Sequence, residues 1–121
     1  MLIAAGILVI LLGLAHSFLG ERYIVGWLLT QDRLPPVVGG RSFAGGTIRF
    51  AWHLTTVLMI AIGIALILFD LDASASAIVG TTGWCLIVSG VLPIVSTRGR
   101  HPSWLVLLVA GALCVVWAFA R

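Results

Sequence analysis

Residues Ile48–Phe69 read IRFAWHLTTVLMIAIGIALILF, a run of 22 positions with one charge, Arg49, near its start. A helix crossing a hydrocarbon core about 30 Å thick needs about 20 mostly apolar residues, so this stretch is predicted to span a membrane. Three more stretches pass the same test: Leu2–Leu19, Ala77–Ser96 and Ser103–Ala120. The composition agrees, because 61% of the 121 residues are hydrophobic and only 9% are charged, a balance too apolar for the surface of a water-soluble domain of this size. The expected fold is an all-α integral membrane protein. It forms one domain, residues 1–121, built as an antiparallel bundle of four transmembrane helices.

The links between spans set the chain path. Residues 70–76 join spans two and three, and residues 97–102 join three and four, so successive helices are expected to be antiparallel neighbours. The one long connection, residues 20–47, carries Pro35–Pro36, Gly39–Gly40 and Gly45–Gly46 as turn and breaker signals. Inside it Ile24–Leu29, flanked by Glu21–Arg22 and Asp32–Arg33, predicts a short interfacial helix after the first span, lying along the membrane and partly covering its end. Gly40–Thr47, GRSFAGGT, has the spacing of a phosphate loop, but Gly46 occupies the lysine position and no strand precedes it. No basic residue precedes the first apolar run, so that segment is expected to be retained as a span. Cys85 and Cys114 lie alone in apolar surroundings, without metal or redox spacing, and read as small packing residues.

Arginines orient the bundle. Threading four spans puts Arg22, Arg33, Arg41, Arg49, Arg98 and Arg100 on one side and Arg121 on the other, with Asp70 and Asp72. Cytoplasmic loops carry the excess of basic residues, so the six-arginine side is expected to be cytoplasmic and both termini outside, in a bacterial inner membrane. The net charge of +3 thus reports topology and contact with the lipid bilayer, anionic lipids included, and not nucleic acid. Tyr23, Trp27, Trp52 and Trp104 fall near the basic face and Trp117 near the other, while Trp84 reads as a packing residue.

The same threading places His16, His53 and His101 at the basic end. At 1.5 Å of rise per residue, His16 is roughly 6 Å and His53 roughly 7 to 8 Å inside the span ends, so their depths match. Gly6, Gly13 and Gly20 recur every seven residues and make a smooth row for close helix approach, with His16 and Ser17 beside it. Arg49, His53 and Thr56 form a polar stripe that should face protein. Gly83 and Gly90 in span three, and Ala110, Cys114 and Ala118 in span four, are further close-packing rows.

Neutral imidazoles on facing helices can hold haem b or a transition metal, so His16 and His53 are the candidate axial pair near the cytoplasmic face. With His101 and Glu21 the set becomes a three-histidine, one-carboxylate site for a divalent metal. The alternative is that the histidines hydrogen-bond neighbouring helices and that Glu21 and Arg49 clamp the first two spans. The chain would then be a non-catalytic structural or assembly subunit of a larger membrane complex, or a homo-oligomer. A small oligomeric transporter ranks below both, since no carboxylate lies deep within a span. The segments HSFLGER at 16–22 and RFAWHL at 49–54 resemble those of small bacterial four-span membrane proteins that combine HSxxGE with AWH. That resemblance implies that His16, Glu21 and His53 belong together, and says nothing about substrate.

Overall fold

The computed structural model describes residues 1–31 and 39–121, and there the chain is all helical. Helix α1 (Leu2–Gly20) runs through a π-helical turn (Glu21–Val25) into α2 (Gly26–Thr30). Then come α3 (Gly40–Asp70), α4 (Ala75–Thr97) and α5 (Ser103–Phe119). Three helical stretches, Leu2–Thr30, Gly40–Asp70 and Ala75–Thr97, are long and apolar enough to cross a membrane. Helix α5 is equally apolar but has 17 residues, about 26 Å at 1.5 Å per residue.

Two expectations are corrected at the start of the chain. The interfacial helix is not a separate element, because Gly20, Val25 and Gly26 all keep right-handed helical backbone and α1 continues without a break. The π turn closes where the Gly26 N–H reaches the Glu21 carbonyl, and a Cβ on Gly26 would stand 2.7 Å from that oxygen. The second correction is to the reach of α3, which begins at Gly40 and absorbs all of Gly40–Thr47. Gly45–Gly46 therefore does not break the helix. A Cβ on Gly46 would collide with the Ser96 carbonyl of α4, so this glycine serves close approach and not a turn. The expected break at Pro35–Pro36, and Asp32 and Arg33, lie outside the described residues.

Small residues decide which helices meet. Gly6, Gly13 and Gly20 are all buried against α3, facing Gly63, Met59 and Trp52 in turn. Gly83 and Gly111 bring α4 and α5 together, helped by Cys114, while Gly80 faces Ala118 and Gly90 faces Leu108. Each pair is antiparallel, and at the far end of α1 and α3 the Met1 amino group lies 3.5 Å from Asp70. Among the described residues the helices pack chiefly as a row in which α1 meets α3, α3 meets α4 and α4 meets α5.

The row has almost no apolar core. Among the described residues Val25, Ala44 and Phe50 are the buried hydrophobic ones, whereas Leu8, Leu11 and Leu12 on α1 and Val106, Leu113 and Val116 on α5 are exposed. Such faces suit lipid, where burying leucine gains little and close backbone packing holds helices together. Trp84 is also exposed, so it does not pack as expected. Inside α4, Pro93 lacks the N–H that would donate to the Ser89 carbonyl, and the Ser89 hydroxyl separately donates to the Cys85 carbonyl one turn earlier.

Candidate functional site

On a helix turning about 100° per residue, His16 and Ser17 fall on opposite sides of the glycine row of α1. The row lies against α3, so the two side chains enter different spaces. His16 borders an apolar cavity of about 520 Å³ with Trp52 and Ile24, and Ser17 borders one of about 490 Å³ with Glu21 and His53.

On the Ser17 side a polar chain links the two helices. The Ser17 hydroxyl is 2.6 Å from His53 Nδ1, and His53 Nε2 is 3.1 Å from Glu21 Oε2. Arg49 grips the same carboxylate with both arms, Nε at 3.2 Å from Oε2 and a terminal nitrogen at 2.7 Å from Oε1. A carboxylate held by arginine only accepts, so Nε2 of the imidazole donates to it, and in the neutral ring Nδ1 is then the acceptor for the Ser17 hydroxyl. The order is Ser17 to His53 to Glu21, closed by Arg49. It arises because Ser17 and Glu21 are four apart on one helical stretch and Arg49 and His53 four apart on the facing one, so the pairs interdigitate. Thr56, the third member of the expected stripe, is not in the network, and its buried hydroxyl finds no partner among the described residues.

His16 is held separately. Its ring stacks on Trp52 with centroids 4.4 Å apart, and the Trp52 N–H donates to the His16 carbonyl at 3.2 Å. The Thr55 hydroxyl donates to the Trp52 carbonyl at 2.6 Å, so His16 Nε2 donates to Thr55 across 2.9 Å. His101 is elsewhere again. Its Nδ1 sits 2.9 Å from the Ser103 hydroxyl at the start of α5, and its ring meets Phe50 edge-on at 4.9 Å.

The histidines expected to converge are thus distributed over three environments, and among the described residues no group of three or more His, Cys, Asp or Glu could hold a metal ion. His53 meets Glu21, as the paired segments implied, but His16 does not join them. No family model matches the chain, and neither curated proteins nor solved structures show a match.

Chemically, Ser17–His53–Glu21 has the connectivity of a hydroxyl, a base and an orienting carboxylate. The amides around Ser17, however, belong to the helical ladder of α1, which leaves no backbone donors to hold an oxyanion. What the network does supply is directional bonding between two helices in a setting where apolar contact gives little. Periodicity missed Trp52 and Thr55 as partners of His16. The available signal was their three-residue spacing, which puts both on the flank of α3 opposite His53.

Proposed function

We propose that this chain is a non-catalytic four-span subunit of a larger assembly in a bacterial inner membrane, with both termini outside and its histidines used as helix-to-helix bonds. The observation that carries the reading is the engagement of both nitrogens of His53, Nδ1 by Ser17 and Nε2 by Glu21. Ligation of haem b or a metal by His53 would have to break one of these, and ligation through His16 Nε2 would release Thr55. The exposed apolar faces of α1 and α5 at the two ends of the row are where a partner subunit or a second copy would add.

The experiment is purification from native membranes in mild detergent, followed by native mass spectrometry, visible absorption and metal analysis. The expected result is one stoichiometric complex, no haem band and no bound metal, with the complex retained after a combined His16→Ala and His53→Ala change. Haem or metal in stoichiometric amount, lost in that variant, would overturn the proposal, as would a free monomer. The topology has its own test in a Cys85→Ala/Cys114→Ala background. Arg100→Cys should react with impermeant maleimide only from the cytoplasmic side and Arg121→Cys only from outside, and the reverse labelling would invert the orientation.

A further inference from the structure

A cavity of about 730 Å³ opens between the start of α3 and the end of α4, and four arginines line it: Arg41, Arg49, Arg98 and Arg100. Arg49 is balanced by Glu21, and among the described residues neither Arg98 nor Arg100 has a carboxylate within ion-pair distance. Arg41 is braced against the carbonyl of Gln31 at 2.6 Å. Two guanidinium groups, Arg98 and Arg100, lining one space with no carboxylate beside them among the described residues favour an anion there, and the planar donors of arginine match phosphate oxygens.

The backbone adds to the field. Helix α3 starts at Gly40, where no side chain among the described residues caps its first amides, next to the lining residues Arg41 and Ser42. Arg98 adopts the left-handed conformation, φ 55°, and is followed by Gly99, φ 74°, so the turn sets Arg98 and Arg100 on the cavity rim. Leu29, Phe43 and Val95 give the same cavity an apolar wall, and Val95 is 72% exposed. A basic recess with an apolar flank, on the face that basic residues mark as cytoplasmic, has the character of a headgroup site.

We propose that this cavity binds a phosphate-bearing anion, with Arg98 and Arg100 as the contacts to phosphate. The phosphate belongs to a lipid headgroup or is free in solution, and the test separates the two. Detergent-purified protein is titrated with phosphatidylglycerol and with phosphatidylcholine and read by native mass spectrometry. Inorganic phosphate is then added against chloride at equal ionic strength.

Selective retention of phosphatidylglycerol is expected. If phosphate displaces it better than chloride, free phosphate is also a ligand; if not, the site belongs to the lipid. Arg98→Asn/Arg100→Gln, chosen because asparagine tolerates the left-handed backbone, should weaken binding by about tenfold. Arg98→Lys/Arg100→Lys should fall between the two, and Arg121→Gln, at the opposite end, should bind as the parent does. Equal binding of both lipids, or unchanged binding by the Asn/Gln variant with helicity intact, would overturn the proposal. Ser17, His53, Glu21 and Arg49 are untouched in these variants, so failure here leaves the subunit reading standing.

Discussion

Gly63→Val should unlock α1 from α3. A Cβ at position 63 would stand 2.6 Å from the Gly6 carbonyl oxygen and 2.5 Å from the Ile10 side chain, while a Cβ at Gly6 would stand 2.5 Å from the Gly63 carbonyl oxygen. These are largely backbone-to-backbone obstructions, which no rotamer change relieves, so the helices must separate along the seam. Overpacking of this kind costs about 3 kcal/mol. The loss should appear as a lowered midpoint when the micellar protein is titrated with denaturing detergent and followed by circular dichroism. Gly63→Ala should do the same to a smaller degree. Leu12→Ala, on an exposed face of α1, should leave the midpoint nearly unchanged. A Gly63→Val protein with the parental midpoint would show that the two backbones do not meet there.

Glu21→Gln should weaken the same pair of helices through their polar bonds. The carboxylate receives Arg49 and His53, and its neutral replacement loses the ion pair and offers one acceptor oxygen where two were used. Hydrogen bonds to charged groups contribute about 1.5 to 3 kcal/mol. The side chains of Glu21 and Arg49 are 36% and 45% exposed, so solvent screening brings the expected loss to the lower part of that range, about 1.5 kcal/mol. A cycle with Arg49→Gln should return a coupling energy of about 1 kcal/mol that shrinks at high salt. Strictly additive single effects would mean that the two residues do not cooperate in holding the seam.

The helical spans were legible because the membrane imposes a length and an apolar composition, and Ile48–Phe69 meets both without regard to what it packs on. The glycine row of α1 was legible for a related reason, since sevenfold spacing places Gly6, Gly13 and Gly20 on one face whatever lies opposite. The site was legible only in part. Glu21, Arg49 and His53 stood out as polar residues on apolar helices, and the structure joins them. Placing His16 with them relied on matched depth, and depth does not fix the angle around the helix axis. Gly45–Gly46 misled because glycine breaks a helix and also permits close approach, and the neighbour that decides between these, Ser96, is fifty residues away.

What the sequence by itself determined is what a single helix expresses: the number of apolar helices, the small-residue rows, the polar stripe and the arginine-rich end. Which helices pair, and on which flank of the seam each side chain falls, was decided only in three dimensions. Apolar side chains in lipid are nearly interchangeable, so contact between Gly6 and Gly63 sets the register that carries Ser17 to His53, His16 to Trp52, and the arginines of α3 toward those after α4.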